Sequence, residues 1–175
     1  MDDEPIWNLT HLSLSYKNII DIDNLQGMEK LVKLQLDNNI ITKIQNLDLL
    51  VNLEWLDLSF NLIKKIEGLD TLTNLTDLSL YSNKITELSG LDKLKKLNIL
   101  SFGANFITDS EKTFEYLRSL NNKLQVLKID GNKFLKGGQP DPDVKLYAIE
   151  SLKNLKYLDY EVITEEMRTQ AKQKF

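Results

Sequence analysis

The sequence predicts an α/β solenoid: a horseshoe with a concave parallel sheet of about seven strands and a convex side of 3₁₀ or helical turns. Three observations carry this. Segments beginning at Leu9, Leu31, Leu53, Leu75 and Leu97 start 22 residues apart and repeat one apolar pattern. Within each, apolar residues two apart, such as Leu34 and Leu36, have the spacing of one face of a strand. The return path carries an apolar residue at every third position, as in Ile63, Ile66, Leu69, Leu72 and Leu75, a period that suits short tight turns.

The copies share apolar residues at their first, fourth and sixth slots, for example Leu53, Leu56 and Leu58. Two further copies begin at Leu124 and Leu155, after spacings of 27 and 31 residues, which makes seven. The ninth slot holds Asn39, Asn61, Asn83, Asn105 and Asn132, and the eleventh holds Ile41, Ile63, Ile85, Ile107 and Phe134. This is similar to the pattern L-x-x-L-x-L-x-x-N-x-I of leucine-rich repeats. One such unit cannot bury its own apolar edge, so the units must stack. Strands about 4.8 Å apart then span an arc of roughly 30 Å. The Asn column is expected to be structural, because its side chains can satisfy backbone groups in the buried turns. Gly68 and Gly90 suit tight corners.

The ends depart from the pattern, as capping repeats do. Lys17 stands in the first Asn slot, and the last copy has no Asn there. Residues 109–120 read as a helix, with Asp109 or Ser110 as its cap and Phe114, Leu117 and Leu120 on one face. Residues 136–143 read as a polar Gly/Pro loop, 144–152 as a capping helix, and 156–160 as the end of the sheet. The domain organisation is therefore a repeat domain with its caps over 1–163. A polar helical tail follows over 164–175, read as an exposed helix.

Composition limits the function classes. The 175 residues are enough for one domain with a sizeable core. A net charge of −4 offers no general attraction to phosphates, so nucleic acid is not an expected partner. There is no cysteine, which points to a reducing compartment. No apolar leader follows Met1, and no apolar run is long enough for a membrane span. The sequons at Asn8 and Asn74 each precede a core leucine and read as chance.

The third, fifth and seventh slots of each strand face away from the core, so they form the concave surface. The candidate protein-binding residues there are Lys33, Gln35, Asp37, Trp55, Asp57, Asp77, Ser79, Tyr81, Ile99, Lys128 and Tyr157. Trp55, Tyr81 and Ile99 form an apolar centre beside three aspartates, the composition of a binding hot spot with a polar rim. Cross-strand packing that only stabilises the sheet is the competing reading. A second competing reading has Phe60 and Phe106, by the turns, cover the core instead of a ligand.

Nothing in the sequence points to catalysis. There is no phosphate-binding loop, no dinucleotide fingerprint and no nucleophile elbow. His11, the single histidine, reads as a surface residue. Asp37, Asp57 and Asp77 run diagonally across the repeat slots, a poor arrangement for a cation. Lys93, Lys95 and Lys96 read as a solvated convex face. The expectation is no enzyme activity, no cofactor, no metal and no small-molecule substrate; the partners are other proteins.

Runs between the consensus positions carry a finer resemblance. They are LQLDNNI at 34–40, WLDLSFN at 55–61, IEGLDTL at 66–72 and LSL at 78–80, with NIIDIDNL at 18–25 and YLDY at 157–160. Over about residues 9–160 the chain resembles the repeat domains of the subunit-3 family of the nexin–dynein regulatory complex of motile cilia. That resemblance implies an axonemal scaffold that links neighbouring doublets and restrains dynein-driven sliding. It implies regulatory-complex subunits or dynein-associated components as partners, and a place in the cytoplasm, on the cytoskeleton of the cilium. The family continues into long coiled coils. The tail after Thr164 is then either the start of such a coil in a longer parent or the end of a short paralogue. The 22-residue repeat is shared with outer-arm dynein light chains and with regulatory subunits of a phosphatase or a splicing particle, which are the alternatives.

Overall fold

The computed structural model describes residues 5–120, 123–134 and 142–175. The polar loop expected at 136–143 lies largely outside them. A 3₁₀ turn, Ile6–Asn8, precedes seven strands in parallel order: β1 His11–Ser13, β2 Lys33–Gln35, β3 Trp55–Asp57, β4 Asp77–Ser79, β5 Ile99–Ser101, β6 Val126–Lys128 and β7 Tyr157–Leu158. Pairing keeps equal slots side by side, so Leu12, Leu34, Leu56, Leu78, Leu100, Leu127 and Leu158 form one buried column. Only the first member is partly exposed, because β1 has a sheet neighbour on one side alone.

Among the described residues the seven parallel strands are those expected, and an eighth, antiparallel strand extends the sheet. After β7 the chain turns at Asp159 and returns as β8, Glu161–Val162, antiparallel to β7. Residues 156–160 therefore do not end the sheet. A very short, charged antiparallel strand at that edge blunts further pairing.

The return segments are not continuous helices. They are single turns in succession, such as Leu50 N–H to Leu47 O at 2.9 Å and Leu53 N–H to Leu50 O at 3.0 Å. That geometry places every third side chain inward, and Ile63, Ile66, Leu69, Leu72 and Leu75 are all essentially inaccessible.

Two columns of left-handed backbone turn the coil, the second over the first four levels. One is Tyr16, Asn38, Phe60, Ser82 and Ala104, with φ from 51° to 57°, continued by Gly131 at 75°. The other is Asn24, Asn46, Gly68 and Gly90. At Gly90, φ is +70° and an added Cβ would stand 2.3 Å from the Ile66 carbonyl oxygen. Gly90→Ala is expected to lower stability by about 1–3 kcal/mol. A urea midpoint equal to that of the parent would refute this.

Among the described residues, three helices close the C-terminal end. Helix α1, Ser110–Ser119, is capped by Asp109, whose carboxylate accepts from Lys112 N. It buries Phe114 and Leu117, and Leu120 just beyond it, while the Tyr116 hydroxyl accepts from Leu91 N at 2.8 Å. Helix α2, Pro142–Ser151, meets α1 through the edge-to-face pair Phe114–Tyr147. Helix α3, Glu165–Lys174, lies on α2. The sequence reads this tail as an exposed helix; the structure corrects that for one face. Ala171 is fully buried, Met167 packs on the core, Phe175 meets the Tyr147 ring, and Arg168 donates to the Leu155 carbonyl.

Candidate functional site

The concave face is held in place from beneath by the Asn column. Asn61 shows the pattern: its Oδ1 accepts from Ile41 N at 3.0 Å, and its Nδ2 donates to Leu36 O at 3.0 Å and to Leu58 O and Ser59 O at 3.1 Å. Asn39, Asn83, Asn105 and Asn132 make the corresponding bonds at their levels. Each Asn thus serves the turn of the preceding repeat as well as its own. This accounts for Lys17: the first repeat has no predecessor to stitch.

Where the sixth-slot N–H of Phe102 donates to the Lys128 carbonyl of the next repeat, the corresponding N–H of Ile129 meets the side chain of Asp159. Its Oδ1 accepts from Ile129 N at 2.8 Å and from Asp130 N at 3.0 Å. Burial pushes its carboxyl above the ordinary 3.8, although the two N–H donors pull the other way. A raised folded value means that the charge costs stability as pH rises above the carboxylate range, and costs nothing in acid. Asp159→Asn keeps the acceptor oxygen, so it is expected to match or exceed the parent at neutral pH and to gain nothing in acid. Asp159→Ala is expected to lose about 1–3 kcal/mol. Thermal melts of both variants check this, and equal losses would refute the acceptor role.

Above this frame the concave side chains are mostly half-buried, with His11, Ser13, Ile99 and Tyr157 exposed. Neighbouring slots hold one another. The Lys33 ammonium lies 4.2 Å above the Trp55 ring, and these residues are register partners on β2 and β3. Ser15 donates to Asp37 at 2.5 Å, Ser59 Oγ to Asp57 at 2.5 Å and Thr76 to Asp77 at 2.6 Å. The three aspartates are thus engaged by local hydroxyls. Among the described residues, no group of three or more His, Cys, Asp or Glu side chains is placed to hold a metal.

Tyr81 lies just past β4 and is enclosed more than the sequence implies. Phe60 meets its ring edge-on at 5.7 Å, and the Lys128 ammonium stands 4.2 Å from its centroid. Lys128 also lies 4.4 Å from the Tyr160 ring and donates to the Tyr160 hydroxyl. Gly103 makes this cluster possible: a Cβ there would stand 2.7 Å from Asp130 Oδ1 and 2.8 Å from a Tyr81 ring carbon. Burial, with the Asp130 carboxylate beside it, pushes the Tyr81 phenol above its ordinary value. Burial pulls the Lys128 ammonium down, but the Tyr160 hydrogen bond and the Asp130 charge outweigh it, so the net direction is up. The cluster therefore keeps a protonated lysine against the neutral Tyr81 phenol at neutral pH.

The candidate residues divide accordingly. Lys33, Trp55, Asp77 and Ile99 lie in one register row across β2 to β5, and Gln35, Asp57 and Ser79 in the next. Tyr157 is in register with Val126 at the C-terminal end of the sheet. The contribution of Tyr160 and the opening at Gly103 were missed, since Tyr160 occupies an apolar slot that the pattern points inward. It is instead 78% exposed, because the chain leaves the repeat at Asp159. Phe60 and Phe106 do not cover the core: Phe60 is 50% exposed, and Phe106 is flanked by two lysines on the outer flank.

Solved structures agree with this architecture. The chain is similar to an internalin (inlF) of Listeria monocytogenes, at 28% identity and TM-score 0.70, over 98% of this chain and 48% of that one. It is similar to a leucine-rich-repeat protein of Leptospira interrogans, at 29% identity and TM-score 0.67, over 86% of this chain and 37% of that one. The chain thus spans less than half of either. At 20% identity and TM-score 0.58 it shares its fold with a protein in the SNF/U2A′ complex of Drosophila melanogaster, over 93% of this chain and 79% of that one. No curated protein sequence matches it. The family model described as leucine-rich repeats in two copies matches residues 7–49, 51–93 and 73–116, together more than half of the chain. The chain belongs to the leucine-rich-repeat family.

Proposed function

We propose that this chain is a non-catalytic scaffold that seats another protein on its concave face, centred on Trp55, Tyr81 and Ile99. The carrying observation is that the two aromatic side chains are already held in position. Lys33 covers Trp55, Phe60 and Lys128 hold Tyr81, and Ile99 is left 38% exposed between them and the C-terminal strands. Fixed side chains lose little rotamer freedom when a partner arrives. Leucine-rich-repeat proteins use such extended concave surfaces for binding.

The finer reading is a subunit of the nexin–dynein regulatory complex that links outer doublets and regulates ciliary bending. Its support is the set of sequence runs at 18–25, 34–40, 55–61, 66–72 and 157–160. The test is to tag the native gene product, separate cilia from cell bodies and identify what co-purifies. Recovery in salt-resistant axonemes with regulatory-complex subunits supports it. Recovery with dynein arms moves the chain to the light-chain reading. Recovery with a phosphatase or a splicing particle, and none in cilia, overturns the axonemal role and leaves the scaffold.

A further inference from the structure

The outer flank beside the Asn column carries a surface that the concave reading does not use. The tenth slot of successive repeats holds Ile40, Leu62, Lys84 and Phe106. Their backbones form a ladder: each N–H donates to the eleventh residue of the preceding repeat at 2.8–3.0 Å. The side chains therefore stack in one row at the spacing of adjacent strands. Ile40 is 41% exposed and Leu62 40%. Leu62 and Phe106 line an open groove of about 670 Å³ together with Thr42, Lys64, Lys84 and Thr86.

The charge on this row is one-signed. Lys84 and Lys133 approach the Phe106 ring to 5.2 and 4.5 Å. Among the described residues, none of Lys64, Lys84 and Lys133 has a carboxylate partner. Nearby acids are engaged elsewhere, Glu67 with Lys65 at 3.8 Å and Glu87 with Lys112 at 2.8 Å. On a chain of net charge −4, a local row of free ammonium groups over an apolar floor runs against the overall balance.

We infer that this flank is a second docking surface, and that its occupant is an acidic amphipathic protein segment. Apolar side chains of the segment fill the groove over Leu62 and Phe106, and its carboxylates meet Lys64, Lys84 and Lys133. An amphipathic segment in an apolar groove is a recurrent recognition mode, and charge complementarity sets its orientation. Nucleic acid fits less well: the apolar floor offers nothing to a phosphate, and three lysines neutralise little of a polyanion.

The experiment uses the full chain and a fluorescein-labelled amphipathic peptide with Leu and Phe on one helical face and Glu on the other. A Lys-for-Glu version of the peptide and an oligouridine of equal charge are the comparisons, all read by anisotropy. Saturable binding of the acidic peptide is expected, weakening as salt is added. Affinity should fall about tenfold in Lys64→Glu/Lys84→Glu and in Leu62→Gln, with circular dichroism unchanged. The charge-reversed variant should gain affinity for the Lys peptide. Trp55→Ala/Tyr81→Ala should bind as the parent does, which separates this surface from the concave one. No saturable binding, equal binding by the flank variants, or equal binding of oligouridine overturns the inference.

Discussion

Asn61→Ala is expected to lower stability by about 1–3 kcal/mol, because one buried side chain satisfies groups on two repeats. Its loss strips the partner from Ile41 N and removes the bonds to Leu36 O, Leu58 O and Ser59 O. Asn61 is only 4% exposed, so water does not replace these bonds without opening the turn. The control is Asn52→Ala. Asn52 is exposed and makes a single bond, to Glu29 O, so its loss should stay within about 0.5 kcal/mol. Urea unfolding of the two variants decides the matter. Similar midpoints would show that the Asn column is not what joins the turns.

The second large effect concerns binding. Trp55→Ala combined with Tyr81→Ala is expected to weaken capture of the concave partner by about 2–4 kcal/mol. Both rings lie outside the core column, so the solenoid should remain folded. Tyr81 also orients Phe60 and Lys128, so the double variant removes an anchor and loosens its neighbours together. Titration calorimetry with the co-purified partner, beside a thermal melt, is the measurement. Unchanged affinity, or an unfolded double variant, would defeat the assignment of this face.

The closing helices were legible only in outline. The expected helix at 109–120 is Ser110–Ser119, and the one at 144–152 is Pro142–Ser151. Their apolar positions mark a buried side. The docking of α3 was not legible, since its composition is polar apart from Met167, Ala171 and Phe175. Three such residues do not announce a face until Tyr147 of α2 stands opposite them.

The sequence by itself determined the repeat, the strand positions, the buried column and the ladder asparagines. All of these follow from slots 22 residues apart, because stacking brings equal slots together and each slot has one facing. The Lys33–Trp55 pair belongs to the same class, since its members are one repeat apart and in register. Only the tertiary structure decided what lies across the longer spacings. Lys128 meets Tyr160, 32 residues on, and the Asp159 carboxylate stands in for a ladder carbonyl at Ile129 N. Beyond the inserted helices the repeat count no longer says which residues face one another. There the contacts are set by how the caps pack on the last coil, and that packing depends on volumes and angles that no periodicity encodes.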